Sequence, residues 1–244
     1  MTDDVLRITL DRPEKLNALR RTDIDAMRAQ VEGLAPGTRA VVFSGTGGRA
    51  FSAGVDVDEF LALTPDTAVG FITALRDLLA AVRNAPAATV AVVDGHCLGG
   101  AFELAMACDL RIATPRSHFG LPEIKLGIPS VIDAALLERH VGLGFAREMI
   151  LTGDSYRADD PRTAGLSNAL VAPEELTATV DGYLAKLVGH TPTVLASQRR
   201  LFELWLNKGL AEGAELSTRE FGRVFAADDT REALAAYRAG LGRR

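Results

Sequence analysis

Segment 94–109 constrains this chain more than any other. Thr89-Val90-Ala91-Val92-Val93 leads into it, a β-branched apolar run that reads as a buried strand. Residues 101–108 follow Gly99-Gly100, rich in Ala and Leu and free of Pro and Gly, and read as a helix. A strand that turns through two glycines into an apolar helix leaves bare backbone where a ligand can come close. The first N–H groups of such a helix have no partner within it, and the positive end of the macrodipole lies behind them. The place favours a negatively charged oxygen, either a phosphate or a developing oxyanion.

Glu103 follows Gly100 by three residues, so the two share a helix face and the carboxylate leans back toward that amide. One reading is that Glu103 only complements the dipole of the first turn, worth about 0.3–1 kcal/mol. The other is that it is a working carboxylate; this stretch by itself leaves both open. A second glycine turn, Phe51-Ser52-Ala53-Gly54-Val55-Asp56, follows another continuous apolar strand at 40–44, and Asp56 or Asp58 can start a helix there. If the two strands are parallel neighbours, both turns fall at one edge of the sheet. Further on, Glu123 sits among Leu121, Ile124 and Leu126. Apolar surroundings would raise its pKa and suit a proton donor; alternatively it follows a turn proline and faces solvent.

The 244 residues are 48% hydrophobic, enough for a large buried core, and a net charge of −5 argues against a nucleic-acid partner. No apolar run approaches the roughly 18–20 residues that span a bilayer, and the acidic start Met-Thr-Asp-Asp lacks the regions of a signal peptide. A cytoplasmic protein without membrane contact is expected. The two cysteines, Cys97 and Cys108, suggest neither a metal site nor a disulfide framework. Cys108 reads as a small buried hydrophobe. Cys97 has only His96 nearby as a base, and adjacent residues in a strand point apart, so a catalytic thiol is not expected. His96 and His118 read as satisfied polar residues.

Taken in order, a strand is expected at 5–10, then a helix capped by Thr22 or Asp23 with Ile24, Met27, Val31 and Leu34 on its apolar face. A longer helix over 67–84 should bury Val69, Ile72, Leu75, Leu79 and Val82. Short strands follow at 110–113 and 118–120. From 133 onward the chain reads as helices at 133–141, 144–151, 173–188, 193–208, 211–226 and 230–239. The class is α/β: strand–strand–helix units to about residue 130, then a helical extension.

Three segments together resemble the crotonase family, also called the enoyl-CoA hydratase/isomerase superfamily. They are the Phe51–Asp56 turn, Asp94-Gly95-His96-Cys97-Leu98-Gly99-Gly100-Ala101-Phe102-Glu103-Leu104-Ala105, and Phe119-Gly120-Leu121-Pro122-Glu123-Ile124-Lys125-Leu126-Gly127-Ile128-Pro129. Arg12-Pro13-Glu14-Lys15-Leu16-Asn17-Ala18-Leu19 and Leu151-Thr152-Gly153-Asp154 add to the similarity. The resemblance implies a crotonase-like spiral of repeated ββα units over 1–190 and a C-terminal helical region over 191–244 that serves oligomerisation and covers the active site. It implies an acyl-CoA thioester substrate, no separate cofactor, no metal, and a homotrimer or homohexamer.

Carried over by position, the amides of Val55 and Gly100 would form an oxyanion hole, and Glu103 and Glu123 would be the paired catalytic glutamates. Lys15, Leu16, Ala53 and Asp56 would line the CoA site, with the Ala53 carbonyl on the adenine amino group. The implied reaction is addition of water across the 2,3 double bond of a 2-enoyl-CoA. Glu103, kept ionised by the helix N-terminus, would activate water, and Glu123 in its more apolar setting would give the proton to C2. The alternatives are an enoyl-CoA isomerase or another reaction of the family, and a non-catalytic scaffold binding acyl-CoA or RNA. The sequence departs from the family after Pro129, where Ser130-Val131-Ile132-Asp133 replaces a glycine-rich run. Val131 and Ile132 are expected to narrow the acyl pocket, and Asp133 reads as a helix cap rather than a third acid. Pro161 also falls where the family begins an uninterrupted helix.

Overall fold

The computed structural model describes residues 4–241. Its strands are β1 (Val5–Leu10), β2 (Ala40–Gly45), β3 (Ala50–Ser52), β4 (Ala88–Val93), β5 (His96–Leu98), β6 (Leu110–Ala113), β7 (His118–Gly120), β8 (Ser155–Arg157) and β9 (Ala169–Leu170). Its helices are α1 (Arg21–Glu32), α2 (Val57–Leu61), α3 (Pro65–Asn84), α4 (Gly100–Ala107), α5 (Leu137–Val141), α6 (Leu143–Thr152), α7 (Leu176–Val188), α8 (Pro192–Asn207), α9 (Leu210–Val224) and α10 (Asp228–Leu241).

Five parallel strands form one sheet in the order β1-β2-β4-β6-β9, and β3-β5-β7-β8 form a second. Each pass leaves a long strand of the first sheet, enters a short strand of the second and then turns into helix, so β2-β3, β4-β5 and β6-β7 are successive turns of a spiral. The apolar runs of β2 and β4 are buried on both faces, as their lack of alternation requires. One face packs on α1, α3 and α4, with Phe43, Phe51, Phe102 and Phe119 inside; the other carries Val42, Val90 and Ile112 against Val180 and Leu184 of α7.

Gly95 makes the step from β4 to β5 possible. Its φ is +86°, and a Cβ there would come within 2.1 Å of the Arg49 carbonyl oxygen. That same carbonyl accepts the His96 N–H and joins the second turn of the spiral to the first.

Several sequence expectations change in detail. Helix α1 begins at Arg21, and Asp23 accepts the Arg20 N–H at 2.9 Å from the third helical position instead of capping the helix. In α3 the buried face is Phe71, Ala74, Leu75, Leu78, Leu79 and Val82, while Val69 is exposed. The short strands β8 and β9 carry no alternating run and were not expected. Pro161 opens a 3-10 turn over Pro161–Leu166 instead of a helix, with Asp160 accepting the Arg162 N–H.

The first helix of the C-terminal region is tied into the core. Buried Arg199 of α8 donates to the carbonyls of Val82, Arg83 and Ala85, which end α3, and pairs with Asp109. These are the carbonyls that a helix C-terminus leaves unpaired, and a cation also suits its dipole. Beyond α8 the apolar side chains Leu210, Phe221 and Phe225 stay exposed. No described helix is long and apolar enough to cross a membrane.

Candidate active site

The two glycine turns meet. Strands β3 and β5 pair in parallel, so the loops that leave them lie side by side. A Cβ on Gly54 would stand 3.4 Å from the Gly99 Cα, and a Cβ on Gly100 would stand 3.4 Å from Cγ2 of Val55. The chain before α1 fixes the first turn from behind: Leu16 accepts the Ala53 N–H at 2.9 Å, and Leu19 donates to Gly54 and accepts from Asp56. Among the described residues, no group accepts the N–H of Val55 or of Gly100.

These amides open on a cavity of about 400 Å³. Its wall includes Val55, Gly100, Glu103 and Glu123, with Phe60 from α2, Leu63 from the turn after it, Val69, Phe71, Ile72 and Leu75 from α3, and Ile128 to Val131. Exposed Val69 therefore has a place, on the cavity wall and not in the core. Val131 lines the cavity as expected, but Ile132 does not.

Glu103 is the one charged residue of α4, a helix buried on all sides, and is 3% exposed. Its Oε2 accepts the N–H of Asp133 at 2.8 Å and of Ala134 at 3.2 Å, and Oε1 takes no hydrogen bond from the described residues. Burial pushes its carboxyl well above the ordinary range, the charge of Glu123 adds to this, and the two amides oppose it. Burial thus opposes the ionised form that the helix terminus is expected to favour, and the two amides on Oε2 support that form. Glu123, in the 3-10 turn Pro122–Leu126, is also raised by burial, while the Ser130 hydroxyl donating to Oε2 at 2.9 Å pulls it down. The apolar setting of Glu123 is the cavity, since Ile124 and Leu126 are exposed. Both carboxyls stand in one cavity wall and the charge of Glu123 raises Glu103, so the two titrate as a coupled pair.

Lys15 is exposed beside the first turn, and Leu16 has a left-handed φ of 52°. Asp56 is 9% exposed; its carboxylate accepts the Asp58 N–H at the start of α2 and pairs with Arg12 at 3.0 Å. Both of its oxygens are thereby occupied within the protein. Buried Asn17, which sequence reasoning passed over, donates to the carbonyls of Thr46 and Ala50 and accepts the Arg12 N–H, locking this edge. Cys97 and Cys108 are buried thiols, and burial holds Cys97 far from its thiolate form. His96 departs from expectation: its Nδ1 is buried without a partner, and burial lowers its pKa toward the neutral ring.

Three groups at the site lay outside the sequence reading: the Ser130 hydroxyl and the amides of Asp133 and Ala134. Asp133 does not cap a helix. Its carboxylate pairs with Arg83 of α3 while its N–H faces Glu103. A sequence shows no signal for a backbone donor, and the ion pair spans fifty positions.

Two unpaired amides at the mouth of an apolar cavity, with two carboxyls in its wall, define a class of protein that can stabilise an oxyanion and move a proton beside it. The chain belongs to the enoyl-CoA hydratase/isomerase family, whose sequence pattern matches residues 1–240. It is 29% identical over 234 residues to a short-chain-enoyl-CoA hydratase of Clostridium acetobutylicum, covering 94% of this chain and 89% of that one. It is 35% identical to a probable enoyl-CoA hydratase of Rhizobium meliloti, covering 94% and 90%. The crystal structure of an enoyl-CoA hydratase from Bacillus anthracis superposes with a TM-score of 0.91 at 25% identity, covering 97% and 93%.

Proposed function

We propose that this chain is an enoyl-CoA hydratase, adding water across the 2,3 double bond of a 2-enoyl-CoA to give a 3-hydroxyacyl-CoA. The observation that carries the reading is the pairing of two raised carboxyls, Glu103 and Glu123, with the free amides of Val55 and Gly100 around one cavity. The thioester oxygen would sit between the two amides. As water adds to C3, charge moves onto that oxygen, and each preorganised donor is worth about 2.7–4 kcal/mol. Ionised Glu103, with Oε2 fixed by two amides, presents Oε1 to the water and takes its proton; protonated Glu123 delivers its own proton to C2. The addition needs no redox partner or group carrier, so CoA enters only as part of the substrate.

In the same reading the CoA moiety runs over the edge built from Lys15, Leu16 and Ala53, with Asp56 acting through its hold on Arg12. The exposed apolar side chains of α8 to α10, among them Phe202, Trp205, Phe221 and Phe225, support a homotrimer or homohexamer. Within one chain no described residue of this region lines the cavity, so the C-terminal cover would come from a neighbouring copy. Two buried free thiols fit a reducing, cytoplasmic setting.

The test follows loss of the conjugated-thioester absorbance with crotonyl-CoA and longer 2-enoyl-CoAs. Loss with 3-hydroxyacyl-CoA as product is the expected result. Intact CoA binding without loss overturns it and turns the search to 3-enoyl-CoAs, the substrates of an isomerase. Light scattering on the same sample should give three or six times the chain mass.

A further inference from the structure

One short segment holds both carboxyls. Ser130 donates to Glu123 Oε2 at 2.9 Å, and three and four residues later the amides of Asp133 and Ala134 donate to Glu103 Oε2. Between them stands Ile132 with φ of 54°. Glycine adopts this left-handed region freely, but for a β-branched residue it is a true outlier that persists only where neighbours enforce it. The enforcement is visible. The Asp133 side chain is 8% exposed and pairs with Arg83, which also reaches Glu203 of α8 at 3.4 Å.

Asp133 therefore works on two sides. Its N–H meets Glu103, whereas its carboxylate lies in a separate cleft with Arg83, Glu203, Glu138 and Arg139 and does not line the substrate cavity. We propose that Asp133, tethered by Arg83, is a positioning residue that holds the strained Ile132 turn and so keeps two amide donors on Glu103. The inference rests on the hydratase reading for its consequence in turnover, but not for its structural content. The charged groups facing Glu103 and Asp133 are Glu123 from the 3-10 turn before Gly127, Arg83 from α3 and Glu203 from α8. Of the two tether variants, Asp133→Asn alters only the Arg83–Asp133 pair, and Arg83→Met also removes the Arg83–Glu203 contact.

The test uses Asp133→Asn, with Arg83→Met breaking the same pair from the other side. Turnover of crotonyl-CoA should fall by about 10–100-fold with KM within about twofold, as misplacement of a catalytic group predicts. The Glu103 carboxyl, followed by 13C NMR and identified by its loss in Glu103→Gln, should titrate roughly one pH unit higher in Arg83→Met. There its amide donors loosen and the Asp133 charge that also raises it stays; Asp133→Asn removes that charge and is read by turnover. Adding Ile132→Gly, which removes the strain that the tether opposes, should restore turnover and titration together. A Glu103 titration unmoved in Arg83→Met overturns the proposal, whatever happens to turnover. A wild-type protein that hydrates no enoyl-CoA would overturn the hydratase reading, and the titration would still decide the tether.

Discussion

Glu123 Oε1 occupies the space that a side chain on Gly99 would need: a Cβ built there would lie 2.7 Å from that oxygen. Gly99 also has φ of 57° and ψ of −136°, a conformation closed to other residues. Gly99→Ala should therefore cost about 1–3 kcal/mol of stability and displace Glu123 as well. Urea unfolding and turnover should both register the change, and an alanine variant with native stability and rate would remove Gly99 from the site.

Glu103→Gln keeps the shape of the side chain and an acceptor for the amides of Asp133 and Ala134 but cannot take a proton from water. Turnover should drop roughly a hundredfold to ten-thousandfold. Binding of a saturated acyl-CoA, measured by calorimetry, should stay within about threefold, because the thioester contacts are backbone amides. Near-normal turnover would deny Glu103 the role of base.

What the sequence made legible follows from locality. Glu103 stands three residues after Gly100 on one short helix, and the turns around Gly54 and Gly99 each carry their own glycine signal, so adjacent parallel strands sufficed to bring them together. Buried β2 and β4 announced themselves by unbroken apolar runs. The relative burial of the two glutamates was not legible. It depends on Leu121, Ile128 and Pro129 closing over elements distant in the chain, and on α4 having no solvent face at all. Nor could Ile132 be read as left-handed, since that conformation is imposed by the pairing of Asp133 with Arg83 and contradicts its own preference.

The raised carboxyls also make a prediction about stability. A carboxyl whose folded pKa lies above its unfolded value holds more protons when folded, so its contribution is fully present below the unfolded pKa and is lost as pH rises through the folded one. Glu103 and Glu123 are both raised by burial, so both oppose folding above the ordinary carboxyl range. Glu103→Gln should thus melt higher than wild type by roughly 2 °C or more at pH 8, and the gain should vanish near pH 4, about where a free carboxyl titrates. Scanning calorimetry across that range checks it. A gain independent of pH would assign the effect to packing.

Val131 and Ile132 are neighbours with opposite surroundings, and this separates chain-length selection from turn geometry. Val131 lines the cavity together with Phe71, Ile72 and Leu75, whereas Ile132 faces the cleft that holds Arg83 and Asp133. Trimming Val131 to Ala lengthens the space open to the acyl chain by about two methyl groups, and each buried methylene is worth about 0.8 kcal/mol. The ratio of kcat/KM for an eight-carbon over a four-carbon 2-enoyl-CoA should then rise by about fourfold to tenfold. Ile132→Ala should leave that ratio within about twofold, because its side chain meets no acyl carbon. Should Ile132→Ala shift the ratio and Val131→Ala leave it alone, the acyl chain must run toward the Arg83 cleft instead of along α3.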